Sequence, residues 1–387
     1  IYSKLVNTEV AQRYIKIEKR DEETGKIIPA ANTEFRVVDS NNQTVVQKVM
    51  YPNEETLYTY KTDAQGHLVM PEKLPYGEYK IYEVVAPDGY YNKSATENVV
   101  AGTFSVESNT VDNPEKEMVV AVVKNIAQKV NVTVKATGQV LTGLASESDA
   151  GYTVKRPVFG GEYMANIGYK ITAKEDIVTL DGTVRMAAGE SVTLTTDANG
   201  QATTKLYLGS YTIEQIKAPE GYVLNTEKED LLLTYKGQNV KEYNINNSYS
   251  VQKQGYEVEL TKEFKDLLFY RENENDTAIH AEENQAYLDV LVGIYAAEDI
   301  KNVKGATIIP ADTLVDVVAM DINGKATLNS ELPTGKFYAK ELRTNENYVV
   351  SDTKYEVNAI PANNQDLVFD IAVETIVNEP KKVTKLT

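Results

Sequence analysis

A strand-like block that contains a glutamate occurs three times along the 387-residue chain. Each block follows a short turn that ends in glycine, and an Asp-x-x-Gly tetrapeptide precedes each turn. The blocks lie about 130 residues apart, which indicates related domains in series rather than a short-repeat solenoid. The separation between the Asp of the tetrapeptide and the glutamate is 20, 17 and 20 residues, counted from Asp63 to Glu83, Asp197 to Glu214 and Asp321 to Glu341.

Length and composition support this division of the chain. A chain of this length suits about three domains of ~100–150 residues, and a hydrophobic content of 42% is sufficient for packed cores. The 26 tyrosines, with valine and threonine in alternating stretches, favour strands. We therefore expect an all-β protein of three tandem β-sandwich domains. The expected bounds are 13–127, 128–252 and 253–387, with residues 1–12 as a residual strand or linker from an upstream domain.

The joints between these domains are short and contain no Gly or Ser run, so we expect a semi-rigid, elongated rod.

The net charge of −17 argues against nucleic acid and anionic membranes as partners, and is typical of a soluble extracellular surface. The absence of cysteine excludes disulfides and thiol chemistry. No apolar run of 18 residues is present, which argues against membrane insertion. Because no signal peptide begins at Ile1, we expect an internal piece of a longer protein.

Two strand-like segments place a lysine in line with apolar residues, because side chains alternate between the two faces of a strand. An edge lysine whose ammonium group reaches water is the usual explanation for such a position. The closing strands of the first and third units place Asn125 and Asn378 in the same way, although a lone asparagine there is usually a turn former. The residues that share a face are Ile15, Ile17 and Lys19 in one segment and Val258, Leu260 and Lys262 in the other.

A lysine, an asparagine and a glutamate that meet inside a sandwich can react with one another. The first and last strands of a sandwich can be neighbours, so an inward lysine can contact an inward asparagine. Burial lowers the pKa of the lysine and raises that of the glutamate. A neutral amine is a nucleophile, a protonated carboxyl can polarise the carboxamide, and the fold holds the groups in contact. The product would be an amide between two side chains, with release of ammonia.

Three sequence features form a specific combination: the segment Lys19–Lys26, the Ala-Pro-x-Gly-Tyr sequence after Glu83 and Glu214, and the ending Val377–Pro380. Together they resemble the Cna B-type domain, also called the SpaA-like or prealbumin-like domain, of Gram-positive surface adhesins and pilins. The resemblance extends over nearly the whole chain. It implies an Ig-like or prealbumin-like β-sandwich with an autocatalytic Lys–Asn isopeptide bond that the glutamate of the repeated block promotes.

Carried over position by position, the resemblance implies one bond in the first domain and one in the third. The third block lacks the Ala-Pro-x-Gly-Tyr sequence but keeps its glutamate. The implied residues are Lys19, Glu83 and Asn125 in the first domain and Lys262, Glu341 and Asn378 in the third.

The middle domain departs from the pattern. The spacing across the domain joints places Ala136 and Val251 where the lysine and asparagine would lie, which predicts no bond. Two apolar residues can fill such a site without leaving a buried charge unpaired. Glu214 would then be a remnant that needs a hydrogen-bond partner. The alternative interpretation pairs Lys135 with Asn247 after a one-residue bulge.

No conventional active site or metal site is evident in the sequence. The two histidines, His67 and His280, lie outside any catalytic motif. The acidic run Glu272–Asp276 lacks the glycine and the terminal glutamate of a calcium loop. Leu332–Gly335 resembles a sortase signal but aligns with the turns of the other repeats. We therefore predict no cofactor, no metal and no enzyme activity beyond single-turnover bond formation.

The resemblance predicts a structural stalk segment of an extracellular surface adhesin attached to a Gram-positive cell wall. Each bond would join the strands where the chain enters and leaves a domain, so a pulling force would pass through a covalent link. The alternative functions are a pilin subunit or an adhesin region that binds a host glycan or matrix protein. The candidate surfaces for such binding are Tyr51–Tyr60 and Asp266–Ala286. We expect a monomer in isolation, with contacts between neighbouring domains of the chain.

Overall fold

A computed structural model describes four stretches of the chain, which are residues 11–107, 112, 117–265 and 283–381. Almost all regular structure in these residues is β, as the sequence predicts. The strands form three successive sandwiches, here named the first segment (12–127), the middle segment (129–251) and the third segment (255–378). Most of the candidate binding surface Asp266–Ala286 lies outside the described residues, together with His280 and Glu272–Asp276.

The first segment packs two sheets against each other around a core that includes Ile15, Phe35 and Val123. Its elements are β1 (Gln12–Asp21), β2 (Glu34–Val38), β3 (Gln47–Val49), β4 (Glu55–Leu57), β5 (Tyr60–Lys61), β6 (His67–Val69), β7 (Leu74–Pro75), β8 (Gly77–Val85), β9 (Tyr90–Tyr91), α1 (Lys93–Glu97), β10 (Gly102–Val106) and β11 (Met118–Ala127). One sheet has the order β6-β1-β11-β9, with β7 also on β1, and the other has the order β10-β8-β2-β5. Strands β3 and β4 form a separate hairpin.

The middle segment repeats this plan with one very long strand. Its strands are β12 (Lys129–Asp149), β13 (Tyr152–Tyr163), β14 (Gly168–Ala173), β15 (Ile177–Val178), β16 (Val184–Met186), β17 (Ser191–Thr195), β18 (Gln201–Tyr207), β19 (Gly209–Lys217), β20 (Glu229–Leu233) and β21 (Glu242–Val251). Strand β12 pairs with β13, β18 and β21, while the facing sheet has the order β17-β14-β19-β20. Strands β15 and β16 pair separately.

The third segment has the same two-sheet arrangement. Its elements are β22 (Gly255–Phe264), α2 (Glu283–Tyr287), β23 (Leu291–Ala296), β24 (Ile300–Lys301), β25 (Thr307–Ile309), β26 (Leu314–Ala319), β27 (Lys325–Thr327), β28 (Gly335–Arg343), β29 (Tyr355–Ala359), β30 (Val368–Ile371) and β31 (Ile376–Asn378). Strand β22 pairs with β27, β30 and β31, and the facing sheet has the order β26-β23-β28-β29. Strands β24 and β25 form a two-stranded sheet.

The first and last strands of each segment are parallel neighbours. Strand β1 pairs with β11, β12 with β21, and β22 with both β30 and β31. This pairing places the entering and leaving chain side by side in one sheet. An inward residue near the end of the first strand therefore lies beside an inward residue of the last strand.

The Asp-x-x-Gly turns fix a particular position on each first strand. The carbonyl of Gly66 accepts a hydrogen bond from the backbone N–H of Lys19 at 3.2 Å, and Gly324 does the same for Lys262 at 2.8 Å. Gly66 has a φ of 77°, and a Cβ atom there would approach the carbonyl oxygen of Ile28 to 2.0 Å. Glycine is therefore required at this point of the turn.

A buried glutamine occupies each joint between segments. Gln128 donates from its side-chain amide to the carbonyls of Gly237 and Val240 in the middle segment. Gln254 makes the corresponding pair of bonds to two carbonyls of the third segment, at 2.9 and 2.7 Å. In each case the glutamine backbone N–H also donates to a glycine of the preceding segment, Gly89 or Gly221, at 2.8 Å. The two joints are therefore built in the same way.

The long hairpin of β12 and β13 extends from the middle segment onto the third. Leu141 belongs to the core cluster of the third segment, and Val154 near the tip packs against Leu291 and Val317. The sequence analysis did not predict this extension. In the described part of the chain, no helix has the length and apolar character needed to span a membrane.

Candidate functional site

The first segment brings Lys19, Glu83 and Asn125 together in the centre of its sandwich. Lys19 on β1 and Asn125 on β11 face inward from adjacent strands of one sheet, and Glu83 on β8 faces them from the other sheet. The exposed fractions of the three residues are 0%, 3% and 2% in the order lysine, glutamate, asparagine. All three polar groups are therefore removed from water and lie in contact with one another.

The carboxyl group of Glu83 bridges the other two side chains. Its Oε1 atom lies 2.8 Å from Lys19 Nζ, and its Oε2 atom accepts a hydrogen bond of 2.7 Å from Asn125 Nδ2. The same Nδ2 group donates to the backbone carbonyl of Tyr91 at 2.6 Å. This carbonyl orients the carboxamide, and no sequence pattern could single it out because any residue can supply a backbone carbonyl.

Burial changes the preferred protonation state of this pair. The pKa of Lys19 is lowered by desolvation, and the nearby Glu83 only partly opposes that effect. Desolvation likewise raises the pKa of Glu83 against the opposing influence of Lys19 and Asn125. Both shifts favour a neutral amine beside a protonated carboxyl, which is the state that a nucleophilic lysine requires.

The third segment contains the same arrangement. Lys262, Glu341 and Asn378 are all buried, and Lys262 Nζ lies 3.6 Å from Glu341 Oε1. Asn378 Nδ2 donates to Glu341 Oε2 at 2.7 Å and to the carbonyl of Val349 at 2.6 Å. Desolvation lowers the pKa of Lys262 to about 8, although Glu341 opposes it. The two hydrogen bonds of the asparagine amide therefore repeat those of the first segment.

The tyrosine that ends each glutamate block helps to place the last strand. Tyr90 and Tyr91 pair with the end of β11, and Tyr348 forms the equivalent bridge with Pro380. The next residue after the tyrosine that ends the block is Tyr91 in the first segment and Val349 in the third. Its backbone carbonyl accepts the hydrogen bond from the asparagine amide. The block thus provides both the carboxyl group and the backbone acceptor of the site.

The middle segment has apolar residues at the positions of the lysine and asparagine. Ala136 and Val251 are both buried, and the parallel register pairs Gly138 with Val251, just as Asp21 pairs with Asn125. These positions agree with the alignment made from the sequence. The structure thus places no lysine amine and no asparagine carboxamide at this point of the middle segment.

The predicted position of Glu214 requires correction. Glu214 is not at the site but pairs with Lys170 on the outer face, with 2.6 Å between Nζ and Oε1. The hydrogen bond from Lys170 lowers the pKa of Glu214. Gln215 occupies the position of Glu83, because it lies six residues after the turn glycine Gly209 and faces inward. Counting from that glycine rather than matching glutamates would have found Gln215.

The alternative pairing of Lys135 with Asn247 does not occur in the structure. Lys135 alternates with the buried Val134 and Ala136 and so lies on the outer face of β12. Asn247 is in register with Val134 and lies on the inner face of β21. The two side chains are therefore on opposite faces of the same sheet.

Aromatic packing fills the space beside the missing groups. The rings of Tyr169 and Tyr249 lie 5.0 Å apart, and Tyr169 is paired with Gln215 in the register. Phe35 occupies the corresponding position opposite Glu83 in the first segment. Tyr169 of the middle segment therefore stands where the first segment has Phe35, and it packs in the same core cluster as Ala136, Val251 and Tyr249.

Two charged clusters join the segments, and the sequence analysis did not identify them. Arg185 of the middle segment donates to the buried carboxylate of Asp21 in the first segment at 2.8 Å. Arg156 of β13 donates to the buried Asp316 of the third segment at 2.5 Å. Local sequence patterns cannot predict either ion pair, because the two residues of each pair are separated by about 160 positions.

Other predicted candidates lie apart from these sites. His67 lies at the start of β6 and is half-buried. Tyr51 is 85% exposed and Tyr58 is also exposed, so this part of the predicted binding surface is open to solvent. Among the described residues, no three His, Cys, Asp or Glu side chains are grouped in a way that could hold a metal ion.

Comparisons with known proteins agree with this architecture. Residues 13–114 and 159–249 match the model of the SpaA prealbumin-like fold domain. The sequence has no match among curated proteins.

Several solved structures of bacterial proteins align with most of this chain. The Bacillus anthracis TIE protein aligns with a TM-score of 0.55 and 20% identity over 96% of this chain and 51% of its own. The chain thus spans about half the length of that protein. BcpA, the major pilin subunit of Bacillus cereus, aligns over 96% and 100% of the two chains, with 15% identity and a TM-score of 0.36. The pilus adhesin SpaC from Lactobacillus rhamnosus GG aligns over 96% and 44%, with 10% identity and a TM-score of 0.33.

Of these three structures, only the TIE protein exceeds a TM-score of 0.5, and its low identity makes it a guide to fold alone. The family match covers the Lys19–Glu83 part of the first segment and most of the middle segment. Both of these segments are the two-sheet sandwiches described above. Residues 13–114 and 159–249 are therefore identified as SpaA-type prealbumin-like domains.

Proposed function

We propose that the chain is a stalk segment of an extracellular, cell-wall-attached surface protein of a Gram-positive bacterium. Its three domains would be residues 13–127, 128–252 and 253–387. The first and third domains each close an intramolecular Lys–Asn isopeptide bond, and the middle domain has none. The single observation that supports this proposal most strongly is the pair of buried clusters in which one carboxyl group contacts both a lysine amine and an asparagine carboxamide.

The geometry supports a balanced reaction in the first domain. Lys19 transfers a proton to Glu83 Oε1, and the neutral amine attacks Cγ of Asn125. As the tetrahedral intermediate collapses, the carboxyl group of Glu83 passes this same proton to Nδ2, which leaves as ammonia. The attacking nitrogen loses a further proton, which returns to the carboxyl group. One C–N bond forms and one breaks, so the chain loses one ammonia molecule for each bond.

The position of each bond suits a molecule under tension. Lys19 and Asn125 lie near the ends of parallel neighbouring strands, where the chain enters and leaves the domain. A bond there would carry force directly from β1 to β11 and would bypass the residues between them. The middle domain has no such link, so it is the part of the stalk that can extend.

Intact mass under denaturing conditions tests the proposal first. We expect a deficit of two ammonia molecules, with cross-linked peptides that join Lys19 to Asn125 and Lys262 to Asn378. Glu83→Gln should restore one ammonia mass and leave the third-domain cross-link in place. A chain with no deficit would refute bond formation, and a deficit of three would refute the assignment of the middle domain.

Single-molecule pulling tests the stalk role. With both bonds closed, only the 137 residues from Asn125 to Lys262 can extend within the stretch from Lys19 to Asn378, giving at most about 490 Å of new contour length. Glu83→Gln should add a second event of at most about 380 Å from the residues between Lys19 and Asn125. Extension of the wild-type first domain would contradict the proposal.

A second candidate function is ligand binding by an adhesin, which is favoured by the exposed rings of Tyr51 and Tyr58. The ligand would be a host glycan or matrix protein. A binding screen of the wild-type chain and a Tyr51→Ala/Tyr58→Ala variant tests this function. Saturable binding that the double variant loses would support it, whereas absence of binding by the wild type would argue against it.

A further inference from the structure

The two clusters differ at the carbonyl oxygen of the reacting asparagine. In the third segment, Asn378 Oδ1 accepts a hydrogen bond of 3.2 Å from the hydroxyl of Thr344. In the first segment, Asn125 Oδ1 is buried without a hydrogen-bond partner among the described residues. The hydrogen bonds of the amide nitrogen are the same in both segments, so within the carboxamide itself the difference lies at this oxygen.

The difference follows from one residue of the repeated block. Thr344 lies three residues after Glu341, and the residue three after Glu83 is Ala86. Strands β8 and β28 begin six residues before their glutamates and run in the same register with their neighbours, so these positions correspond. Ala86 has only a methyl group and cannot donate to Asn125 from its side chain.

The chemistry of bond formation gives the Thr344 hydroxyl a role. Attack of the lysine amine on Cγ moves the carbonyl electron pair onto Oδ1, which becomes negatively charged in the tetrahedral intermediate. A donor already aimed at this oxygen stabilises the transition state more than the ground state. Thr344 directly follows β28, and Tyr348, four residues later, forms a bridge with Pro380 just after the last strand.

We propose that Thr344 is a further catalytic residue of the third-domain site, where its hydroxyl stabilises the oxyanion on Asn378. This inference rests on the proposed formation of the Lys262–Asn378 bond. The first domain lacks this donor and depends on the close contact of Lys19 with Glu83, which is 2.8 Å compared with 3.6 Å in the third. The first site thus relies more on the lysine–glutamate contact, which activates the amine, and the third site relies more on Thr344, which activates the carboxamide.

The test follows both bonds in the full chain over time. The protein is made by cell-free translation, samples are quenched in acidic denaturant, and the two cross-linked peptides are quantified by mass spectrometry. Thr344→Val keeps the side-chain shape and removes the donor, whereas Thr344→Ser keeps the donor. We expect Thr344→Val to slow the Lys262–Asn378 bond by about 10- to 100-fold and to reach the wild-type end point. Thr344→Ser should react at nearly the wild-type rate.

The bond of the first domain is the internal control, and its rate should be the same in all three chains. An unchanged third-domain rate in Thr344→Val would overturn the proposal. A Thr344→Val chain that never forms the bond and loses hydrogen-exchange protection in β31 would assign a structural role to Thr344 and would also overturn it. If the wild type forms no third-domain bond, then the proposed function fails before Thr344 is tested.

Discussion

Replacing Lys19 with Met and Glu83 with Gln together should remove the first bond without leaving a charge in the core. Both substitutions keep nearly the same side-chain volume, and both residues are almost fully buried. A single change would leave either an ammonium or a carboxyl group without its partner, and the cost of that burial would obscure the effect of the bond. The double variant therefore isolates the covalent link.

The expected loss of stability follows from the length of the closed loop. Asn125 lies 106 residues after Lys19. By analogy with disulfides, a link that closes a loop of this length restricts the unfolded chain by about 4–5 kcal/mol. The open population of the first domain should therefore rise on the order of 10³-fold when the bond is absent.

Hydrogen exchange followed by mass spectrometry measures this change in the full chain. Amides of β1 and β11 that exchange through global opening of the first domain should lose protection by about three orders of magnitude. Amides of β22 and β31 in the third domain provide the control and should keep their protection. A loss of less than tenfold in β1 and β11, in a variant whose mass confirms that the bond is gone, would refute the loop-closure reasoning.

Three other substitutions test the site and the joints. In Glu83→Gln alone, burial keeps the pKa of Lys19 below its ordinary value of 10.5. Because the folded state then binds the proton less well than the unfolded state, the free energy of unfolding falls as the pH drops below the lysine pKa of the unfolded chain. The loss is up to ~1.4 kcal/mol per pH unit until the pH passes the pKa of the folded state. Equal denaturation midpoints at pH 7 and pH 10 would contradict this. Arg185→Met leaves the buried Asp21 without its ion pair, so we expect roughly 3–5 kcal/mol of weaker coupling between the first two segments; protease cleavage near the joint should accelerate, and unchanged cleavage would argue against it. Gln254→Ala removes two buried hydrogen bonds across the second joint, which should cost about 1–3 kcal/mol; hydrogen exchange of residues 360–367 should increase, while that of the first joint stays constant.

The repeated motifs predicted those parts of the molecule that depend on local sequence. Alternation of apolar residues placed Ile15, Ile17 and Lys19 on one face, and all three are buried. The spacing across the joints placed Ala136 and Val251 at the positions of Lys19 and Asn125, and the strand register agrees with this placement. These predictions succeeded because strand alternation and repeat register are encoded within a few residues of each position.

The middle glutamate shows where motif matching fails. Glu214 matches the other blocks in residue type, but it lies one residue closer to its turn glycine than Glu83 and Glu341 do. Because side chains alternate along a strand, an error of one residue moves a side chain to the opposite face. The turn glycine is the reliable reference, since its backbone conformation, with φ near 155° in all three turns, fixes where the strand begins.

The contacts between segments were not predictable from the sequence patterns used. Alternation extends through β12 and β13 but does not reveal that Leu141 leaves one core for the next. The ion pairs of Arg156 and Arg185 join residues about 160 positions apart. Such contacts depend on how two folded units are placed together, and no local periodicity reports that placement.

These joints bear on how a stalk with an unbonded middle domain can work. Arg185 attaches the middle segment to the first, while Arg156 and the β12–β13 hairpin attach it to the third. If the two bonds form as proposed, then tension cannot open either outer domain and acts on the middle domain and its joints. The middle site also has no buried charge to stabilise, because Ala136, Gln215 and Val251 are all neutral. The resistance of the middle domain to mechanical unfolding therefore comes from core packing and strand pairing alone. The middle domain thus determines the force at which the chain first extends.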